Sequence, residues 1–351
     1  MNNGWHGGVS APLVEQLGHR QFRGAGQHDP ERTLGVVFEH EDDRAGKVRI
    51  GHGRARDQKV ASGCHQVIFA CGSIISMAAS PPVVLAISAH APLGGAGIAA
   101  DLATFAALGV HGTVAVTAVT AQRLGSVDRV EPTAPDLLEA QLDGIISSLP
   151  LAAVKVGLLG SVEAVMLIAD RILSGRLPAP VVDPVLVDGR GARLGDTGLE
   201  VALWDRLFPL AAVVTPNLRE VAVLTGTDVQ SPADVASVAH GLAALGAGLV
   251  VATGGAVPGE LAVDVAVTAD AGVHRIEAPW IDTPHVRGSG CTFAAATAAG
   301  LALGDEPLQA VSRAKQFVSQ RLAVSRWPGL DGVGPVAHWF DSQSMPSHPS
   351  P

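Results

Sequence analysis

Gly288-Ser289-Gly290-Cys291-Thr292 runs directly into Phe293-Ala294-Ala295-Ala296-Thr297-Ala298-Ala299. A loop of small residues feeding an apolar, alanine-rich segment predicts a tight turn that opens a buried helix. Such a turn points several backbone N–H groups at one spot and adds the positive end of a helix dipole, so an anion can sit there. A cysteine in that turn has its thiolate stabilised, which makes Cys291 a candidate base. The plainer reading is a turn with Cys291 as a small apolar filler. The rest of the chain chooses between them.

Outward from this turn, the chain from Pro82 onward alternates apolar strand-like runs with amphipathic segments. Strands are predicted at 83–88, 112–117, 153–156, 181–184, 211–215, 249–253 and 261–268. Helices are predicted at 96–108, 134–148, 161–174, 197–207, 217–224, 231–245, 291–303 and 307–323. Alternation of this kind implies an α/β fold of three layers, α/β/α, around a mostly parallel sheet.

Residues 1–76 mix Gly, Arg, His and Asp with little periodicity and read as a poorly structured extension. The alternative is that the protein starts at Met77. Leu34-Gly35-Val36-Val37-Phe38 is strand-like and leaves room for a small extra module. The regular domain is expected over 77–341, followed by a flexible tail at 342–351.

The 351 residues are 47% hydrophobic and 16% charged, enough for a sizeable core, and carry a net charge of −9. That charge argues against a general nucleic-acid binder. Cys64, Cys71 and Cys291 form no disulfide framework and no zinc-finger spacing, which suits a reducing, cytoplasmic setting. Val67 to Ser88 carries no charge, but Pro81-Pro82 interrupt it and Val83–Ile87 reads as a buried strand, so no membrane span is expected.

Further motifs fall at the ends of strands. Gly94-Gly95-Ala96-Gly97 follows the first strand of the regular part and permits close backbone approach to a ligand. Asp101 follows within the first turns of the next helix. Asp183-Pro184-Val185 ends a strand on the carboxyl side, where open α/β sheets bind ligands. Asp183 is either a phosphate- or metal-side acid or a turn residue. In Thr215-Pro216-Asn217-Leu218-Arg219-Glu220, Asn217 and Glu220 form a capping box, compatible with a place beside a hydrated Mg²⁺. Thr253-Gly254-Gly255 also ends a strand and is either a common glycine turn or a close backbone approach to a nucleotide.

Taken with Val116–Gln122, Val154–Gly160 and Gly334–His338, these motifs resemble, in order and spacing, the hydroxymethylpyrimidine/phosphomethylpyrimidine kinases of thiamine biosynthesis, in the ribokinase-like superfamily. The resemblance covers about Val83 to Phe340. It implies that Gly288, Ser289 and Gly290 build an anion hole for the phosphoryl group, with Cys291 as base. It implies that Asp101, Gln122, Val185 and Gly97 line the pyrimidine pocket. Asp183, Asn217, Glu220, Gly254 and Gly255 then lie on the side of ATP and Mg²⁺, with no side chain assigned as a direct metal ligand. A homodimer is implied as well.

The sequence departs from the family in four places. The first-strand loop, usually Gly-Ser/Thr-Asp-Pro-Ser, is Ala89-His90-Ala91-Pro92-Leu93. Lys-Gly-Gly becomes Thr253-Gly254-Gly255. The Ala-Lys-Ser-Gly loop becomes Asp188-Gly189-Arg190-Gly191, and Asn-Thr-His becomes His285-Val286-Arg287. Arg190 and Arg287 are candidates to restore positive charge near the phosphates. The rival readings are a pyridoxal-type kinase and a degenerate, non-catalytic pyrimidine-binding protein.

Overall fold

The computed structural model describes residues 34–37, 49–52, 67–68, 80–188, 191–255, 257–327 and 332–338. The chain divides into two units, Met1–Ala78 and Ala79–Pro351. In the first unit, the Leu34 run forms β1 (Leu34–Val37), flanked by β2 (Arg49–His52) and β3 (Val67–Ile68), both antiparallel to it. The rest of the 1–76 extension, the alternative start at Met77, Cys64, Cys71 and the 342–351 tail lie outside the described residues.

The second unit is built on nine strands: β4 (Val83–His90), β5 (His111–Arg123), β6 (Ser126–Pro132), β7 (Leu151–Val156), β8 (Val181–Val182), β9 (Val213–Val214), β10 (Leu249–Ala252), β11 (Leu261–Thr268) and β12 (Val273–Pro279). Their order is β12-β11-β10-β9-β8-β7-β4-β5-β6. The six strands from β10 to β5 pair in parallel, while β11, β12 and β6 add antiparallel edges. The helices are α1 (Gly97–Ala107), α2 (Pro135–Ser148), α3 (Val162–Leu173), α4 (Leu199–Ala202), α5 (Leu218–Thr225), α6 (Pro232–Val235), α7 (Ala239–Ala243), α8 (Ser289–Ala302) and α9 (Pro307–Val324).

Because side chains alternate along a strand, β4 feeds both faces of the sheet. Val84 and Ala86 pack with Phe105 of α1, Phe293 to Ala299 of α8, and Val311 and Val318 of α9. Leu85 and Ile87 face Leu138 and Leu142 of α2, Ile168 of α3 and Leu199 of α4. The parallel strands, covered on both sides, are therefore apolar almost throughout. Among the described residues no helix is long and apolar enough to cross a membrane.

In the second unit two strands escape the sequence reading, β6 and β12, and both are sheet edges. Ser126-Val127-Asp128-Arg129-Val130-Glu131-Pro132 and Val273-His274-Arg275-Ile276-Glu277-Ala278-Pro279 are charged and mostly exposed or half-buried. Charge suits an edge that must resist further pairing, and it hides the strand from a hydrophobicity scan. The helix expected at 231–245 is broken into α6, a 3₁₀ turn at Ala236–Val238 and α7. The Ser237 hydroxyl donates to the Asp234 carbonyl at 2.6 Å, competing with the helical ladder at that turn.

The chain steps from β4 to β5 on one side, then to β7 on the other, so the topological switch point lies between β4 and β7. A crevice at the carboxyl ends of these strands is where this architecture places ligands.

Candidate active site

The Gly-Ser-Gly-Cys turn opens α8, with Gly288 as N-cap at φ 81°. A Cβ at Gly288 would overlap the Gly95 carbonyl oxygen, so both the left-handed backbone and the space demand glycine. The Ser289 amide bonds the Val286 carbonyl at 3.1 Å, and the Thr292 amide bonds the Gly288 carbonyl at 2.8 Å. No side chain caps this helix and no acid lies in its first turn. The Gly290 and Cys291 amides thus remain as first-turn donors at a positive helix end. The Thr292 hydroxyl donates to the Gly288 carbonyl, and it lies 2.8 Å from His338 Nε2, which ties the turn to the Gly334–His338 segment.

The first turn of α1 meets this one. Gly97, at φ 59°, is wedged under the Ala89 carbonyl oxygen, where a Cβ would not fit. Its backbone amide acts to lower the Cys291 pKa, and α1 also lacks a side-chain cap and a first-turn acid. Two uncapped helix starts therefore converge on Cys291, a free, half-buried thiol.

Behind Cys291 lies a charged cluster that sequence reasoning only half anticipates. Asp101 does not present its carboxyl to an open pocket. It is fully buried, and its Oδ2 accepts from Lys155 Nζ at 3.0 Å. Lys155 sits in the otherwise apolar β7, and alternation turns it to the α1 face. A lone cation in Leu151-Ala152-Ala153-Val154-Lys155-Val156 opposite a lone acid in α1 was the available signal. Burial drives the Asp101 carboxyl up to about 6 against the pull of Lys155. Burial opposes the Lys155 charge, yet Asp101, Cys291 and Asp183 together raise its pKa.

Asp183 is buried at the end of β8, and burial raises its pKa while Lys155 and a bond from the Cys291 thiol lower it. Asp183 Oδ2 keeps no hydrogen-bond partner. Cys291 itself is pushed up to about 12, by burial first, with Lys155 lowering it and Asp183 and Asp101 raising it. The expectation of a stabilised thiolate is thus reversed in this state. Desolvation beside two carboxyl groups outweighs the helix ends and the lysine.

Asn217 and Glu220 form the capping box read from the sequence. Asn217 Oδ1 accepts from the Glu220 amide at 3.0 Å, and Glu220 Oε2 accepts from the Asn217 amide at 2.9 Å. Glu220 is buried, and burial plus the nearby Asp183 raise its pKa well above the ordinary value. Thr253 bridges to Asn217, its amide bonding the Pro216 carbonyl at 2.8 Å. Next to it, the Gly254 amide donates to Asp264 Oδ1 at 3.0 Å. Asp264 is held in turn by Lys315 of α9 at 2.8 Å, a buried pair that sequence reasoning missed. Gly255 has open space around it. A cavity of about 240 Å³ beside Gly254 is lined by Pro232, Val257, Pro258, Leu261 and Val263, among others.

Val185 is half-buried against Ala89, Ala118 and Leu158. Gln122 lies near the end of β5, and its Oε1 accepts from Arg287 Nη2. The Arg287 side chain therefore reaches Gln122, while its backbone is pinned by Gly334 and Val336. Arg190 lies outside the described residues.

The family model described as phosphomethylpyrimidine kinase matches residues 92–337. A hydroxymethylpyrimidine/phosphomethylpyrimidine kinase of Synechococcus elongatus is 42% identical over 260 residues, covering 74% of this chain and 98% of the relative. A pyridoxal kinase of Bacillus subtilis, solved as an ADP complex, superposes with TM-score 0.68 at 37% identity, covering 74% of this chain and 98% of that one. A phosphomethylpyrimidine kinase of Clostridium difficile superposes with TM-score 0.59 at 31% identity, covering 68% and 98%. The chain belongs to the phosphomethylpyrimidine kinase family of phosphotransferases, with a ribokinase-like α/β fold.

Proposed function

We propose that the 77–341 domain transfers the γ-phosphoryl group of ATP to 4-amino-5-hydroxymethyl-2-methylpyrimidine and to its monophosphate, on the route to thiamine diphosphate. The observation that carries this reading is the packing of the α8 start against the α1 start, with Gly288 pressed against Gly95 and Ala96 and Cys291 in the first turn of α8. Phosphoryl transfer passes through a loose transition state, so catalysis is mainly positioning and charge stabilisation. The first-turn amides of α8 are donors fixed before reaction for the oxygens of the phosphoryl group in flight. Gln122, Val185 and Gly97 face the pyrimidine, and Asp101 supports that wall through Lys155.

Cys291 is the base for the substrate proton. Asp183 offers the thiol proton a destination, since it is a buried carboxyl beside Cys291 whose Oδ2 has no partner. Lys155 balances the negative charge that results. The hydroxyl oxygen then bonds to the γ-phosphorus, ADP leaves with the bonding pair of the broken P–O bond, and the hydroxyl proton passes to sulfur.

Asp101 and Asp183 share one buried lysine, Glu220 adds a third buried carboxyl beside Asp183, and Asp183 Oδ2 has no partner. That excess of acid fits Mg²⁺ on the nucleotide side. Among the described residues no group of three His, Cys, Asp or Glu side chains is arranged to hold an ion directly. Asp183 and Glu220 would therefore hold it partly through water. When bound, Mg²⁺ neutralises charge on the phosphates. Gly254, Gly255 and Asn217 flank the nucleotide, and a homodimer is the proposed assembly.

The second reading is a pyridoxal-type kinase, favoured by the superposition on the Bacillus subtilis enzyme. ATP turnover with Mg²⁺ on the hydroxymethylpyrimidine, its monophosphate and pyridoxal separates the two. Turnover on either pyrimidine, abolished by Cys291→Ala, is expected. Turnover on pyridoxal alone would install the second reading. Binding without turnover on any of the three would mark a binding protein.

A further inference from the structure

We infer that Arg287 is a specificity-determining residue that recognises the phosphate of the monophosphate substrate; the inference rests on the pyrimidine-kinase reading above. Arg287 immediately precedes Gly288, so it stands at the mouth of the α8 anion site. Its backbone is clamped on both sides. Its N–H bonds the Gly334 carbonyl at 3.0 Å and its carbonyl accepts from Val336 at 3.0 Å. The position of its Cα is therefore fixed relative to the helix start.

Its guanidinium crosses to β5, where Nη2 bonds the Gln122 amide oxygen, and its Nε is buried with no partner. No carboxylate pairs with it among the described residues. A guanidinium stays charged and carries a fork of five donors that matches phosphate. Here a neutral amide occupies one donor while the charge is left unbalanced. Between Gln122 and the anion site, the ligand that satisfies it is an anion attached to a Gln122-bound ring.

The two proposed substrates differ in that respect. The alcohol is neutral at its hydroxymethyl group, whereas the monophosphate carries a phosphomonoester. In the second transfer a non-bridging oxygen of that phosphomonoester bonds to the γ-phosphorus as ADP leaves. The acceptor phosphate must then lie beside the first turn of α8, within the reach of the residue before Gly288. ATP also carries phosphates, but Asn217, Glu220 and Gly254 sit on other loops, and Arg287 turns away from them toward β5.

The test uses the full chain and its Arg287→Gln and Arg287→Lys variants, with thermal unfolding to confirm folding. Binding of the alcohol and of the monophosphate is measured by calorimetry, alongside kcat/KM for each and KM for ATP. Charge-assisted contacts of this kind predict a fall of roughly ten- to a hundredfold in the monophosphate-to-alcohol ratio of kcat/KM for Arg287→Gln. The loss appears mainly in KM, and lysine restores part of it. An unchanged ratio overturns the inference, as does equal loss on both substrates, which would make Arg287 only a prop for Gln122. A raised KM for ATP with an unchanged ratio would return it to the nucleotide side. If the wild-type protein binds the monophosphate through Arg287 but turns over neither pyrimidine, the kinase reading falls and the Arg287 inference stands. If the wild-type protein binds alcohol and monophosphate equally, the inference falls by itself.

Discussion

Replacing Lys155 by methionine removes the buried cation that faces Asp101 and Asp183 while keeping almost the same volume. Lys155 Nζ and Asp101 Oδ2 are 3.0 Å apart, and both side chains are sealed from solvent. At an effective dielectric of about 20, charges at that separation attract by about 5 kcal/mol. Desolvation cancels much of that in the intact pair, so the pair adds little net stability. Once the cation is gone the cost of burying Asp101 is unopposed, and loss of one partner costs about 3–5 kcal/mol. In a domain of this size that lowers Tm by roughly 6–20 °C. The pH dependence provides a second reading. The Asp101 pKa is raised by folding to about 6, so the folded state takes up a proton. The stability contribution of Asp101 therefore falls as pH rises from about 4 through about 6. Without Lys155 the Asp101 pKa rises further, so the penalty of Lys155→Met should be smaller near pH 5 than near pH 8, where Asp101 must ionise or hold a costly proton. Urea unfolding of the wild type, Lys155→Met and Asp101→Asn/Lys155→Met at both pH values reads all three. The double variant removes both charges and should recover more than half of the loss. A loss below about 1 kcal/mol, or a double variant no better than the single one, would refute the argument that an unpaired buried carboxyl sets the cost.

Two further outcomes follow from the geometry of the turn. Iodoacetamide alkylation of Cys291 should be slow at neutral pH and keep rising with pH through about 9, because the thiol sits near 12; a plateau below about pH 8 would show a stabilised thiolate. Gly288→Ala forces a Cβ against the Gly95 carbonyl and adds about 1–2 kcal/mol of left-handed strain, so kcat should fall at least tenfold while the protein stays folded, and unchanged turnover would dissociate the turn geometry from catalysis.

The parts of this site that the sequence exposes are those whose cause is local. Gly288 announces a left-handed cap, and Asn217 with Glu220 announces a capping box, because backbone geometry within a few residues dictates the residue type. The parallel strands are legible for the same reason, since burial on both faces makes them uniformly apolar. β6 and β12 are not, because an edge strand is selected for charge, and its pairing partner supplies what its own pattern lacks. Lys155, Lys315 and the reach of Arg287 depend on partners 54, 51 and 165 positions away. A lone lysine inside an apolar strand signals that a partner exists without saying which one. The Cys291 thiol fails differently. Its turn does have the helix end that lowers a thiol pKa, but the two buried carboxyl groups that raise it arrive from β8 and α1.

That reversal bears on how the site works. A thiol pushed up to about 12, keeping its own proton beside Asp183, is a resting arrangement, stabilised by the same burial that raises Asp101 and Asp183. Any ligand that adds positive charge beside Asp183 lowers the cost of ionising the acids and draws the Lys155 field toward Cys291. A ligand that adds only negative charge at the α8 start acts in the opposite sense and keeps the thiol protonated. The base proposed above would thus become competent when a cation offsets the charge beside Asp183, and the buried excess of acid is what makes Cys291 respond to that cation.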